Sequence, residues 1–291
     1  MIQGTIVKGI GGFYYVKTAD RVIECRARGK FRNQNIVPLV GDKVDVRIDG
    51  ENGLIDSIEP RKSELKRPSI ANADQALIVF AAAKPEPSFS LLDKLLVTSS
   101  YNHINPIICI NKVEMVDIST IQEMMKPYKM AGYNIIYTSA KYDIGIDKLK
   151  ENLNDVITVF AGPSGVGKTT LLNRVIPSFN AKTGDISKKT ERGKHTTRHV
   201  ELIELEDGGF MADTPGFSSL DIDDIDRESI QYLYPEFLDL IGKCKFTDCS
   251  HISKPKCAIK DAVENNIIDI RRYNSYVNMY KDTFKLGGKY K

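Results

Sequence analysis

The chain contains no tryptophan, four histidines and five cysteines among its 291 residues. No apolar stretch approaches the roughly 18 residues that a membrane-spanning helix needs, so no such helix is expected. Five is an odd number, and three of the cysteines crowd between positions 244 and 257. That speaks against a disulfide scaffold and for metal. The opening MIQGTIVKGIGGFYYV lacks the basic start and apolar centre of a secretion signal and reads as a strand. A soluble, cytoplasmic protein is therefore expected. Neither sign of charge dominates, the net being +3. The distribution is less even. Residues 1–67 carry 13 Lys and Arg against 9 Asp and Glu, residues 240–291 carry 11 against 5, and the middle is net acidic. Basic flanks around an acidic centre suit contact with a polyanion, and equally an ordinary solvated surface.

With 42% hydrophobic and 27% charged residues, the chain suits two or three folded domains. Residues 1–60 alternate short β-type runs with Gly and Asp turns, which predicts five strands in a small barrel. An OB-fold fits, as does an SH3-like barrel. RARGKFR (26–32) sets four cations around Phe31, the usual equipment for single-stranded nucleic acid. The polar stretch 59–74 reads as a linker. From 74 to 216, apolar strands at 75–83, 106–111, 134–140, 156–162, 200–205 and 209–214 alternate with helices at 91–103, 117–131, 146–154 and 168–175. That pattern predicts a mostly parallel, doubly wound α/β sheet. The polar segment 177–198 is too long for an idle connection, so a mobile functional loop is expected there. An acidic stretch, the cysteine cluster and a helix over 258–280 follow. The expected division is residues 1–66 for the RNA-facing barrel, 67–220 for the nucleotide domain and 221–291 for a mostly helical zinc module.

GPSGVGKT (162–169) fits the phosphate-binding loop G-x-x-x-x-G-K-[ST], after an apolar run and before a helix. Gly162, Gly165 and Gly167 let the backbone wrap phosphates, with Pro163, Ser164 and Val166 in the same loop and Thr170 just after it. Lys168 would bridge the β- and γ-phosphates, and Thr169 would hold Mg²⁺. ADTPG (212–216) closes a strand. Asp213 is the expected second Mg²⁺ carboxylate, and the Gly216 N–H would face the γ-phosphate. In KHTTRH (194–199), Thr197, or alternatively Thr196, could bind Mg²⁺ and sense the γ-phosphate as a switch loop does.

The guanine-reading parts lie upstream of that loop. In NKVE (111–114), Asn111 would hold the base, Lys112 belongs to the same loop, and Glu114 would accept from the guanine N1–H and amino group. Glu114 replaces the more usual Asp and is one methylene longer. TSAK (138–141) would offer the Ser139 and Ala140 backbone to the guanine O6, with Lys141 stacked nearby. All parts of a GTP site are present in rotated order, which a fold with adjacent termini permits. Whatever follows Gly216 then leads directly out of the nucleotide domain and should feel its state. Phe217 stands where Ras-type enzymes keep a water-orienting Gln. His195 is the nearest replacement, able to accept from water or donate to a γ-phosphate oxygen.

Cys244, Cys249, His251 and Cys257 follow C-x₄-C-x-H-x₅-C. Three thiolates and an imidazole make a closed tetrahedral set, so one structural Zn²⁺ is expected. Lys243, Lys245, Lys254, Lys256 and Lys260 could face RNA phosphate. Cys109 and Cys25 read as packing.

A rotated GTPase domain between a small β-barrel and a zinc module resembles the RsgA (YjeQ-type) family of small ribosomal subunit biogenesis GTPases, over nearly the whole chain. The resemblance implies a circularly permuted GTPase in late maturation of the small subunit, with His195 catalytic beside Lys168 and Thr197. The partner would be the small (30S) subunit and its 16S rRNA. Neither membrane nor DNA is an expected partner, and a monomer is assumed. GTP bound to the switch would let barrel and zinc module clamp rRNA; hydrolysis to GDP would release the protein. One rival is an rRNA-binding protein that holds nucleotide without significant hydrolysis. A P-loop ATPase or small-molecule kinase is another, opposed by NKVE and TSAK. A tRNA- or translation-factor-like role shares the same parts.

Overall fold

The computed structural model describes residues 1–66, 68–176, 200–206, 208–217 and 225–287, with backbone alone at 213–217 and 284–287. The expected loop at 177–198 lies outside the described residues. So do the acidic positions 221–224 and the last four residues of the tail.

Five strands build the N-terminal barrel: β1 (Ile2–Ile10), β2 (Phe13–Lys17), β3 (Val22–Ala27), β4 (Lys43–Asp49) and β5 (Asn52–Ile58). They run in the order β1-β2-β3-β5-β4, and β4 returns to pair with β1. Closure leaves no free edge. The β3–β5 pair is parallel, and the short helix α1 (Gly29–Asn33) lies in the crossover between β3 and β4. This connection makes the barrel OB-type and settles the choice against an SH3-like one. Alternate residues fill it: Ile6, Val16, Ile23, Cys25, Val44, Val46 and Ile55 are all buried. Phe31 is only 5% exposed and belongs to this core. It cannot stack a base, which corrects the reading of RARGKFR. Among the cations around it, Arg28 and Lys30 are taken up by Asp56.

The stretch expected as a linker is packed instead. Strands β6 (Glu64–Lys66) and β7 (Ser69–Ala71) form a hairpin with Leu65 and Ile70 buried. Arg61 forks onto the fully buried Asp42 of the barrel, Nε to Oδ1 at 2.7 Å and Nη2 to Oδ2 at 2.8 Å. Arg61, one of the charges that suggested solvent, is spent on the barrel.

The nucleotide domain is a sheet in the order β10-β9-β8-β11-β13-β12. Strands β8 (Gln75–Ala81), β9 (Asn105–Asn111), β10 (Asn134–Tyr137), β11 (Ile157–Ala161) and β13 (Phe210–Phe217) are parallel, and β12 (Glu201–Glu204) is antiparallel to β13. Every residue of β8 is buried. Ala76, Ile78 and Phe80 join one core cluster, and Leu77, Val79 and Ala81 the other. Helices α2 (Phe89–Tyr101), α3 (Ile118–Met130), α4 (Ile146–Glu151) and α5 (Lys168–Val175) connect these strands and help cover them. Barrel and sheet meet through one ladder pair, Lys8 of β1 with Glu201 of β12.

The C-terminal module contains a 3-10 turn (Arg227–Leu233) and helices α6 (Pro235–Leu238), α7 (Ala258–Glu264) and α8 (Ile270–Gly287). The single helix expected over 258–280 is broken. Asn266 sits in the left-handed region at φ 57°, which Asn tolerates, and ends α7. The Asp269 carboxylate then accepts the Arg271 N–H at 2.8 Å and starts α8. Tyr234, Phe237 and Tyr276 form the aromatic centre of the module core, which Val97 of α2 also enters.

Candidate functional site: a nucleotide site and a metal centre

The phosphate loop leaves β11 at Ala161 and enters α5 at Lys168. Gly162 and Gly167 adopt φ 131° and 97°. A Cβ on Gly162 would lie 2.1 Å from the Val79 carbonyl oxygen, and one on Gly167 would lie 2.4 Å from Asn111 Nδ2. Only glycine meets both demands. The loop carbonyls are tied to the base loop: Asn111 Nδ2 donates to Val166 O at 2.9 Å, and Lys112 Nζ to Gly165 O at 2.7 Å. In a trans peptide the N–H points opposite to the carbonyl. The Val166 and Gly167 N–H groups are therefore turned away from the base loop. The N–H groups of Ser164, Gly165, Val166 and Gly167 have no partner among the described residues. Four such donors at the start of a helix make an anion nest. Lys168 Nζ reaches across it to the carbonyls of Gly162 and Pro163, at 2.8 and 2.6 Å, and burial lowers its pKa. A polyphosphate offers both the donors and the ammonium a better partner. Thr169 and Thr170 are exposed in the first turn of α5.

The NKVE loop is a strut. Asn111 is 2% exposed. Its Oδ1 accepts from the Ala140 N–H at 3.1 Å and from the Thr138 hydroxyl at 3.2 Å. One side chain thus holds the phosphate loop, β9 and the TSAK loop in register. Lys112 takes φ 62°, which turns the chain into the 3-10 turn that carries the exposed Glu114. The TSAK backbone differs from the expectation. The Ser139 N–H donates to Ile144 O at 3.0 Å, and the Ala140 N–H is held by Asn111. The Lys141 N–H has no partner among the described residues. The Lys141 ammonium stands 4.9 Å from the Tyr142 ring centroid and is held above its usual pKa first by Tyr142 and more weakly by Glu114.

Asp213 and Gly216 lie on β13 next to the loop entrance. Val159 pairs with Ala212 and Ala161 with Phe217, so β13 bulges through the DTPG stretch between these pairs. Thr196, Thr197 and His195 lie outside the described residues.

The four predicted metal ligands come together. Cys244, Cys249, His251 and Cys257 place their ligand atoms within 4.8 Å of one another. Cys244 Sγ is 3.8 Å from Cys257 Sγ, and His251 Nδ1 lies 3.5 and 3.4 Å from those sulfurs. A tetrahedral ion with metal–sulfur bonds of about 2.3 Å has sulfur–sulfur edges of about 3.8 Å, so the donor set fits an ion of that size. Cys249, His251 and Cys257 are buried. Burial also lowers the His251 pKa and keeps the ring neutral, as a ligand must be. His251 Nε2 lies 2.8 Å from Gln231 Oε1 and donates to it, which fixes the ring. Gln231 carried no signal in the sequence, because its role depends on a contact 20 positions away.

Two family models cover most of the chain: the RsgA N-terminal domain over residues 3–55 and the RsgA GTPase over residues 58–223. A curated relative from Clostridium kluyveri, the small ribosomal subunit biogenesis GTPase RsgA, is 52% identical over 276 residues, covering 95% of this chain and 96% of its own length. Its counterpart in Ruminiclostridium cellulolyticum is 50% identical over 286 residues, 97% of this chain and 93% of the relative. Among solved structures, YloQ, a circularly permuted GTPase, is 40% identical with a TM-score of 0.85, covering 98% of this chain and 96% of its own. YjeQ from Thermotoga maritima is 35% identical with a TM-score of 0.86, covering 97% and 98%.

Proposed function

The chain belongs to the RsgA family of circularly permuted GTPases, and from that premise we propose that it is a cytoplasmic GTPase of small ribosomal subunit maturation. It binds the small subunit in the GTP state, hydrolyses GTP to GDP and phosphate there, and dissociates. The observation that carries this reading is the lock between Asn111, Lys112 and the loop carbonyls of Gly165 and Val166. It turns the Val166 and Gly167 N–H groups away from the base loop and ties that loop to the phosphate loop, which supports a site for a guanine nucleotide.

In this reading the residues 162–170 hold the phosphates. Asn111, Glu114 and the backbone near Lys141 read the guanine. Mg²⁺ at Thr169 and Asp213 would neutralise charge between the β- and γ-phosphates. Zn²⁺ fits the Cys244, Cys249, His251 and Cys257 set and holds the C-terminal loops together. His195 orients the attacking water once the subunit has positioned the segment that carries it, with Thr197 at the γ-phosphate. Barrel and zinc module contact 16S rRNA, and the protein acts as a monomer.

Steady-state GTP hydrolysis with and without isolated small subunits tests the proposal. Strong stimulation is expected, and His195→Ala should lower the stimulated rate by about 10²-fold or more. Absence of stimulation, or equal subunit affinity with GDP and a non-hydrolysable GTP analogue, would sink it. Near-normal stimulated turnover in His195→Ala would remove His195 alone.

A further inference from the structure

The sequence places the cation-and-aromatic equipment for nucleic acid on the barrel, but the fold buries Phe31 there and sets Arg26 over the half-buried Phe13, 4.7 Å from its centroid. The same chemistry appears, solvent-facing, on the metal module. Phe246 lies between Cys244 and Cys249 and is 38% exposed. Lys254 Nζ and Lys245 Nζ stand 5.5 and 5.8 Å from its ring centroid. Both distances lie within the roughly 6 Å reach of cation attraction, so the ring is lined by flexible lysine ends that a base can displace while their charge stays beside it. Between positions 243 and 260 there are five lysines against one acidic residue, Asp248. Asp248 is paired with Lys254, while Lys243, Lys245 and Lys256 are exposed.

The platform is held from below. The Lys245 N–H donates to Lys256 O at 3.1 Å, closing the two ends of the metal loop on each other. The Tyr273 and Tyr276 hydroxyls donate to the carbonyls of His251 and Ser250, at 2.7 and 2.9 Å, tying the loop to α8. A large apolar ring left in water on a loop so well fixed is not filling the core. A nucleobase needs a flat π-face at roughly 3.5 Å and a phosphate chain needs cations a few ångströms further out.

We infer that Phe246 is a stacking platform for one unpaired nucleobase of an RNA strand, whose phosphates run along Lys243, Lys245 and Lys256. This rests on the rRNA-contact reading of the previous subsection and specifies where a single-stranded segment is held. A duplex, whose bases are already stacked, does not engage the ring.

The absence of tryptophan supplies the probe. Phe246→Trp in the metal-loaded full-length chain creates a single indole at the platform. Titration with a single-stranded oligouridylate should quench its fluorescence, and an RNA duplex at equal occupancy should not. Phe246→Ala and Phe246→Leu should weaken oligouridylate binding by roughly 5- to 150-fold, the range for one lost stacked base. Leu keeps the bulk and loses the face, so a normal Leu variant would mean greasy contact only and would overturn the inference. Anisotropy that reports binding with no quenching, and unchanged affinity in Phe246→Ala, would also overturn it and leave the rRNA reading intact. If the wild-type chain binds neither oligouridylate nor isolated small subunits, both fall together.

Discussion

The nucleotide domain is joined to its two neighbours in opposite ways. On the barrel side the polar ties among the described residues are one ladder pair, Lys8 with Glu201, and two ion pairs, Lys8–Glu201 at 2.9 Å and Lys17–Glu204 at 2.7 Å. Their side chains remain between 27% and 49% exposed, and an open cavity of about 470 Å³ lies between the sheets. On the C-terminal side, Arg272 is 1% exposed. It reaches Glu236 Oε1 at 2.7 Å, the Asp93 carboxylate on α2 and the Tyr133 hydroxyl at 3.2 Å, among the rings of Tyr128, Tyr133 and Tyr234. Exposed pairs are screened and contribute little, whereas a buried charge that loses one partner has no water to turn to. The loose joint is on β12, the antiparallel partner of the strand that carries Asp213. The tight one is on α2 and α3, whose C-terminal ends feed β9 and β10, the strands that lead into NKVE and TSAK. The polar ties on the barrel side are therefore weak, and barrel and sheet are held instead by the apolar cluster they share, from Ile6 and Val44 through Ile70 and Ala73 to Ala76 and Ile78, while the helical module is fixed by a buried charge.

The largest effect expected is from metal removal. A strong chelator should unfold the C-terminal module and with it the tight joint, since structural zinc contributes on the order of 10 kcal/mol in small modules. Thiol labelling at pH 8 is the readout. Burial pushes the Cys25 thiol up to about 11 and the Cys109 thiol up to about 12, so both stay protonated and unreactive. Cys244, Cys249 and Cys257 alone should become reactive. Labelling that is the same before and after chelation would remove the metal from the account.

Next comes Arg272→Ala, which strands two buried carboxylates. A loss of about 3–5 kcal/mol is expected, read as protease cleavage confined to 225–287 with guanine nucleotide affinity retained. Arg272→Met, which restores bulk, should lose less. If both variants resist protease as the wild type does, the joints do not differ as described.

The smallest effect belongs to Lys8→Ala and Lys17→Ala. Each should cost about 0.2–1 kcal/mol at low salt, and the difference should fade at high salt. A melting temperature that drops as far as in Arg272→Ala would erase the comparison.

Much of the site was legible because it is written locally. Glycines at 162 and 167, a lysine after them, and four metal ligands within fourteen positions carry their chemistry in their spacing. The alternation of apolar runs with helices announced the doubly wound sheet, because burial on both faces requires continuous apolar strands. Phe31 misled because cations beside an aromatic look the same whether the ring points into a barrel or out of it. The polar segment 59–74 misled for a related reason, since Arg61 and Asp42 cancel each other only after folding.

The sequence by itself determined the order of the parts, the Cys and His cluster and the place of the NKVE and TSAK loops, since each is a short-range pattern of residue types. The tertiary structure alone decided that Asn111 braces the phosphate loop, that Arg272 bolts the helical module down, and that Phe246, not Phe31, meets the solvent. Those outcomes depend on which distant residues become neighbours, and on whether burial or water surrounds them. Neither is fixed until the layers pack.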